Sequence, residues 1–240
     1  TQLMHILPPE FIEGGTAATI ERLKGKANRD RLRDRIEKGG EGFDNIPGMV
    51  GGENIIMSTL NTPANKRFEG MTVQDIAKAR GNDPINCVCD MLIEENCAIT
   101  MIDFITCEED IARILNCGFA SVISDSIYPA SGRPHPRLYG TYARIIQRFV
   151  GERRDMTLEA AVKAMTYTPA KALNIADRGL LKEGLCADVN VFDPAEVKER
   201  GSYADPDKCA AGMDYVFVNG KTAIAAGELT GGAFGQVIRR

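Results

Sequence analysis

Short apolar runs alternate with amphipathic segments through the middle of this chain. Residues 55–60, 98–102 and 119–123 are apolar throughout and predict strands, while residues 84–92 and 108–115 carry apolar side chains at helical spacing. Strands that are apolar on both faces are typical of a parallel sheet covered by helices on both sides. The pattern therefore predicts an α/β body with a β-α-β-α-β order.

The two ends of the chain follow different patterns. Residues 8–50 are charged and have helical periodicity, which predicts a helical insertion. Beyond residue 176, glycines separate short β-rich runs, and Asn219-Gly220 between two of them predicts a two-residue hairpin turn. We therefore expect an α/β body over residues 1–176 and a small β domain over residues 177–240.

Charge and hydropathy exclude two classes of partner. The net charge is −4, and no long run of one sign is present, so we expect no nucleic-acid partner. No stretch approaches the length of about 18 apolar residues that a membrane span needs, so we expect no membrane partner.

The cysteines indicate a compartment rather than a site. The chain has seven, an odd number, and Cys87 and Cys89 are separated by one residue, one too few for the CxxC of zinc knuckles and thiol oxidoreductases. Most lie in apolar segments. We therefore predict buried, reduced thiols, which favour a cytoplasmic location.

The candidate chemistry follows the third apolar run. Asp125 comes directly after that predicted strand, and a loop containing Arg133-Pro134-His135-Pro136-Arg137 follows. A carboxylate at the carboxyl end of a strand is well placed to act as a general base, although an Asp there also commonly caps a turn. Arg137 has the planar fork that binds a carboxylate in two places, and a structural ion pair is the alternative. His135 is either a substrate ligand or a hydrogen-bonded loop anchor.

At these residues the chain resembles the amidohydrolase superfamily, and within it the N-acyl-D-amino-acid deacylase (D-aminoacylase) group. The loop with the Arg-Pro-His-Pro-Arg sequence is the most specific part of the resemblance. The other matching segments are Leu7-Pro8-Pro9, Glu13-Gly14-Gly15, Ser124-Asp125, Met165-Thr166, Pro169-Ala170, Asp177-Arg178-Gly179, Ala187-Asp188-Val189, Phe192-Asp193-Pro194 and Val218-Asn219-Gly220.

The resemblance implies a fold and a site. The fold is a distorted (β/α)8 TIM-like barrel with a small β domain, and zinc in the barrel mouth activates a water molecule that attacks an amide carbonyl. Asp125 matches the catalytic aspartate, which is also a possible zinc ligand, and Arg137 matches the arginine that holds the substrate α-carboxylate. His135 in the same loop is a further candidate for contact with substrate or metal. The substrate implied is a small N-acyl-D-amino acid.

The same resemblance predicts that the site is incomplete in this chain. Family members take metal ligands from an HxH motif and a cysteine on early strands, and this sequence has neither at the matching places. The other zinc ligands are therefore expected outside this chain, which would be the carboxyl-terminal part of a barrel, including the helical insertion, and inactive alone. In such a part, residues 55–60 would be an uncovered sheet edge that favours self-association.

Two other functions stay open at this point. One is a non-catalytic binding or structural module derived from an amidohydrolase barrel. The other is a cyclic-amide hydrolase of the dihydroorotase or hydantoinase type.

Overall fold

A computed structural model of the chain describes residues 1–128 and 131–238, which fall into two units. Unit 1 comprises Thr1–Ile105 and Ile127–His135, and unit 2 comprises Thr106–Ser126 and Pro136–Arg240. Each unit is a group of residues that lie close together in space. The domain division expected at residue 177 stays a prediction.

Helices dominate unit 1, as the charged, periodic pattern of residues 8–50 predicted. Side chains cap two of them: Thr72 Oγ1 accepts a hydrogen bond from the backbone N–H of Asp75 (3.1 Å), and Asp83 Oδ1 accepts from that of Asn86 (3.1 Å). The helices are α1 (Pro9–Ile12), α2 (Gly15–Lys24), α3 (Lys26–Lys38), α4 (Ile46–Val50), α5 (Val73–Arg80) and α6 (Pro84–Glu94).

The two strands of unit 1 pair in the direction opposite to the one expected. Strand β1 (Ile55–Thr59) and strand β2 (Thr100–Asp103) are antiparallel, with Ile56 opposite Ile102. The expectation of a parallel arrangement for these two runs is therefore wrong. Apolar side chains on both faces show that a strand is buried, but they carry no information about the direction of its neighbour.

Strand β1 is not an uncovered edge. On the side away from β2, the backbone N–H of Met57 donates to the Met71 carbonyl (3.0 Å) and the N–H of Gly70 donates to the Met57 carbonyl (2.8 Å). Next to them, the N–H of Arg133 donates to the Ser58 carbonyl (2.9 Å). The expectation of an uncovered edge is therefore wrong at Met57 and Ser58, because loop backbone already uses the groups that another strand would need. Self-association stays a prediction.

The third predicted strand does not form among the described residues. Residues 119–123 are not assigned to a strand, Phe119 is 82% exposed, and Val122 attaches the segment by donating its N–H to the Ala164 carbonyl (2.9 Å). An apolar run becomes a strand only where a neighbouring strand supplies hydrogen-bond partners. The described part of the chain places no strand beside this run.

Unit 2 combines helices with a separate antiparallel sheet. The predicted hairpin is confirmed, because Asn219 and Gly220 both have positive φ (50° and 75°) between Val218 and Lys221, which pair across the turn. The sheet has the order β3-β4-β5-β6, with strands β3 (Val189–Phe192), β4 (Met213–Val218), β5 (Lys221–Ala225) and β6 (Glu228–Leu229). The helices are α7 (Glu108–Leu115), α8 (Arg137–Arg144), a π-helix (Ile145–Glu152), α9 (Leu158–Met165) and α10 (Tyr167–Ala172).

The cysteines divide into three groups, and Cys186 forms the third, with intermediate exposure. Cys87, Cys89 and Cys97 are buried, and burial raises the pKa of Cys87 and of Cys89 to about 11. Cys107, Cys117 and Cys209 are exposed, so the expectation of burial is wrong for them. None of the helices in residues 1–128 and 131–238 is long and apolar enough to cross a membrane.

A buried carboxylate organises the loop that follows β1. Glu95 is 3% exposed and accepts hydrogen bonds from the backbone N–H groups of Asn61 (2.6 Å) and Thr62 (3.1 Å), from the Thr62 hydroxyl, and from Asn65 Nδ2 (2.9 Å). Burial alone would raise the pKa of Glu95. The hydrogen bonds from Thr62, Asn65 and Asn61 outweigh it and hold the pKa below its ordinary value of 4.5.

We predict that Glu95→Gln destabilises unit 1 at neutral pH by about 2 kcal/mol, because an amide turns an N–H donor toward backbone donors. Since the folded pKa lies below 4.5, the contribution of Glu95 is complete above pH 4.5 and is lost as the pH falls through the folded pKa. Urea unfolding at a series of pH values measures both effects. The matched control is Glu94→Gln, whose side chain is 40% exposed; an equal loss in both variants would contradict the prediction.

Candidate functional site

Asp125 combines an unusual backbone conformation with an exposed side chain. Asp125 has φ +46°, in the left-handed region that Asp and Asn tolerate better than other non-glycine residues. Its side chain is 71% exposed. The carboxylate is therefore open to solvent and to ligands.

The structure brings two of the three predicted site residues together. Arg137 is the first residue of α8, and its Nη2 lies 2.9 Å from Asp125 Oδ2. The carbonyl oxygen of Arg137 accepts hydrogen bonds from Thr141 Oγ1 (2.8 Å) and Ser126 Oγ (3.3 Å). These contacts fix the backbone at the start of α8.

The ion pair bears on both interpretations of Arg137. It is the structural ion pair that the sequence left as an alternative, yet the Arg137 side chain is 36% exposed. Exposed ion pairs typically contribute about 0–1 kcal/mol to stability. A ligand carboxylate can therefore replace Asp125 at the guanidinium at little cost, so the pair is compatible with a binding role.

His135 lies in unit 1, between two buried prolines, and is half-buried. Its substrate contact stays a prediction.

The loop before His135 is anchored on β1. Ser58 Oγ donates to the Arg133 carbonyl (2.5 Å), and Thr59 Oγ1 donates to the Ser131 carbonyl (3.2 Å). Gly132 has φ +92°, and a Cβ added there would lie 2.7 Å from the Ser58 carbonyl oxygen. Only glycine allows this close approach, so the Gly-Arg-Pro sequence is explained by backbone packing.

The described residues do not fit a complete metal site. Among residues 1–128 and 131–238, no group of three or more His, Cys, Asp or Glu side chains is placed to hold a metal ion. A catalytic zinc site takes three protein ligands as a rule, and Asp125 would supply one. The expectation that this part of the chain does not hold zinc by itself stays a prediction.

A charged cluster in unit 2 was not found from the sequence. Glu108 forms ion pairs with Arg144 (2.9 Å), Arg148 (2.8 Å) and Arg153 (3.3 Å), and side-chain hydrogen bonds from Arg148 hold its pKa below the ordinary value. Arg144 also pairs with Glu199 (3.0 Å). The only local signal in the sequence for this cluster was the i,i+4 spacing of Arg148 and Glu152. Glu108 and Glu199 are too far apart in the sequence for any local pattern to connect them.

The site residues lie in a region that known proteins share. Residues 61–224 match the amidohydrolase family. The chain is 34% identical over 205 residues to N-acyl-D-glutamate deacylase of Alcaligenes xylosoxydans xylosoxydans, a match covering 85% of this chain and 40% of that protein. It is also 34% identical over 173 residues to D-aminoacylase of the same organism, covering 72% of this chain and 34% of that protein.

Two solved structures are similar as well. One is N-acyl-D-glutamate deacylase from Bordetella bronchiseptica complexed with zinc and a phosphonate inhibitor, with a TM-score of 0.69 and 32% identity over 98% of this chain and 48% of that chain. The other is D-aminoacylase, described as defining a novel subset of amidohydrolases, with a TM-score of 0.68 and 31% identity over 78% of this chain and 38% of that chain.

These matches show the family of the chain. The chain belongs to the amidohydrolase family, and the predicted resemblance to its D-aminoacylase group is confirmed. The chain spans well under half the length of the curated relatives that it matches.

We predict that Asp125→Asn changes the free energy of unfolding by less than about 1 kcal/mol, because it removes one exposed ion pair and keeps a residue type that tolerates positive φ. Asp125→Ala is expected to cost about 1 kcal/mol more, since alanine is strained at φ +46°. Urea unfolding of the two variants side by side measures the difference. Equal stabilities would show that the left-handed backbone does not constrain this position.

Proposed function

We propose that the protein hydrolyses the amide bond of N-acyl-D-amino acids, with its α/β part belonging to a (β/α)8 barrel. The observation that carries this proposal is the Asp125–Arg137 pair, which joins an exposed carboxylate to a carboxylate-binding arginine in a chain of the amidohydrolase family. The activities for which its relatives are named, N-acyl-D-glutamate deacylase and D-aminoacylase, support this substrate class.

In this proposal Arg137 binds the α-carboxylate of the substrate. The guanidinium exchanges its contact with Asp125 for two parallel N–H···O bonds to the ligand. Its backbone is fixed at the first turn of α8 by the hydrogen bonds from Thr141 and Ser126, so the direction of the side chain is set before the ligand arrives. The bound carboxylate then fixes the position of the adjacent amide.

Asp125, released from Arg137, moves the protons of hydrolysis. Its carboxylate accepts a proton from water as the water oxygen forms a bond to the amide carbonyl carbon. The same proton passes to the amide nitrogen as the C–N bond breaks, giving a carboxylic acid and a free amino acid. One residue thus acts as base and then as acid, which needs a carboxyl group in contact with solvent, as Asp125 is.

We further propose that the complete enzyme uses zinc. The Bordetella relative contains zinc, and ligands other than Asp125 would come from outside the described residues, because those residues hold no metal-binding group. His135 would contact the substrate. A cytoplasmic location remains part of the same proposal and rests on the cysteine content.

One alternative is a non-catalytic module derived from this family. A cyclic-amide hydrolase is the other alternative. A substrate panel separates all three functions.

We predict that the full-length natural protein hydrolyses N-acetyl-D-amino acids in preference to N-acetyl-L-amino acids, dihydroorotate and hydantoins. Asp125→Asn should lower kcat by at least about 100-fold, because the proton acceptor is lost while the side-chain shape is kept. Arg137→Lys should mainly raise KM, since lysine cannot form the bidentate contact. Amine release under steady-state conditions measures both parameters.

The control for these variants is Glu228→Gln, an exposed carboxylate in β6 that should leave both parameters unchanged. Ring opening without deacylation would favour the cyclic-amide alternative. No turnover on any compound of the panel would favour the non-catalytic module.

We predict that the 240-residue chain alone retains less than about 0.1 zinc per molecule after dialysis, because one available carboxylate does not make a zinc site. The full-length natural protein should retain about one zinc or more. Atomic emission spectrometry on both samples measures the metal content. Stoichiometric zinc on the short chain would overturn this prediction and direct attention to His5, His135 and the cysteines.

A further inference from the structure

A segment that follows β3 lies along the helix that carries Arg137. We call residues 197–203 the strap, and we call α8 with the π-helix that continues it, Arg137–Glu152, the helical rod. Val197 is fully buried in one hydrophobic cluster with Ala143 and Ile146 of the rod. The strap therefore begins with an apolar anchor in the middle of the rod.

Glu199 contacts the rod at three further positions. The backbone N–H of Glu199 donates to Gln147 Oε1 (2.8 Å), and the Glu199 carboxylate pairs with Arg144 (3.0 Å). A Cβ added at Gly140 would lie 2.8 Å from Glu199 Cγ. Gly140 thus leaves the space that the Glu199 side chain fills, one turn away from Arg137.

The strap continues to the residue before Arg137. A Cβ added at Gly201 would lie 3.6 Å from Pro136 Cβ, so the strap backbone lies directly beside the start of α8. Tyr203 follows, and burial raises the pKa of its hydroxyl, with the charges of Arg144, Glu199 and Arg137 also acting on it. The strap therefore contacts the rod between Gly140 and Gln147 and then lies beside Pro136, the residue before Arg137.

We propose that the strap positions Arg137 for carboxylate binding, with Glu199 and Gly140 as the positioning residues. This inference rests on the proposed function, because it assigns a specificity role to contacts around the proposed substrate arginine. Glu199 touches no reacting atom. It holds the rod through Arg144 and Gln147, and the rod holds Arg137.

Gly140→Ala tests the proposal most directly. The added methyl group must displace the Glu199 side chain, which its ion pair with Arg144 holds in place. The matched control is Gly151→Ala in the same rod, where an added Cβ meets only the Ile146 carbonyl oxygen at an ordinary 3.5 Å. Both variants replace a helical glycine by alanine, so their difference isolates the contact with Glu199.

The readout is the preference of the full-length natural protein, carrying its metal as isolated, for a carboxylate. It is the ratio of kcat/KM for an N-acetyl-D-amino acid to kcat/KM for the corresponding N-acetyl-D-amino-acid amide. Arg137→Gln should remove this preference. Gly140→Ala should reduce it roughly tenfold through a higher KM for the carboxylate substrate, since a displaced binding group loses its geometry. Gly151→Ala should leave it unchanged.

A shorter carboxylate provides a rescue. Combining Gly140→Ala with Glu199→Asp removes one methylene where the new methyl group needs room, so the double variant should regain part of the preference. Glu199→Gln alone keeps the side-chain length and weakens the pair with Arg144. It should lower the preference by about threefold to tenfold, and it decides the question if Gly140→Ala does not fold.

Each contrary result has a separate meaning. If the wild-type protein hydrolyses no substrate of the panel, the proposed function fails and this inference fails with it. If the wild type prefers the carboxylate and Arg137→Gln removes that preference, but Gly140→Ala and Glu199→Gln leave it unchanged, the strap has no positioning role. An equal loss of kcat on both substrates would reduce the strap to a purely structural element.

Discussion

Packing on the helical rod is the constraint on which unit 2 depends. One set of its buried side chains, Ile145 and Phe149, belongs to a cluster with α9 and Val122, while Ala143 and Ile146 belong to the cluster that holds Val197 of the strap. Full burial of side chains of this size contributes about 1.5–3 kcal/mol each. The rod therefore joins two hydrophobic clusters, and the position of Arg137 at its first residue follows from both.

Two sets of ion pairs in unit 2 differ in character, the network around Glu108 and the pair between Asp125 and Arg137. Glu108 contacts three arginines, so no single ligand can replace all of its partners, and the network is worth more than isolated surface pairs. The contact between Asp125 and Arg137 is a single distance of 2.9 Å at a more exposed position. The Glu108 network therefore stabilises the fold, whereas the Asp125–Arg137 pair at the start of the rod can exchange its carboxylate for that of a ligand.

Local sequence signals predicted much of the fold. Helix α7 has the predicted bounds, and the Asn219-Gly220 hairpin formed as expected, because caps, periodicity and turn residues act over a few positions. The parallel pairing and the strand at residues 119–123 were wrong, since strand direction and strand formation depend on partners that the local sequence does not specify. The prediction of Asp125 and Arg137 as site residues is still untested, although the structure does pair them. Glu108, Glu199 and the strap were missed because their contacts join residues 36 to 55 positions apart.

The small β sheet of unit 2 holds the strap in place. It connects β3 with β4, and its bridge between Lys198 and Ala211 fixes the far side of the segment that contacts the rod. Gly212 has φ +89°, and a Cβ there would lie 2.3 Å from the carbonyl oxygen of Glu196, the residue just before the strap. The backbone at the start of the strap therefore packs closely on Gly212, as the Glu199 side chain packs on Gly140. Two glycines on different elements thus permit two close approaches of the same segment. These two close approaches fix the segment that we propose positions the start of α8.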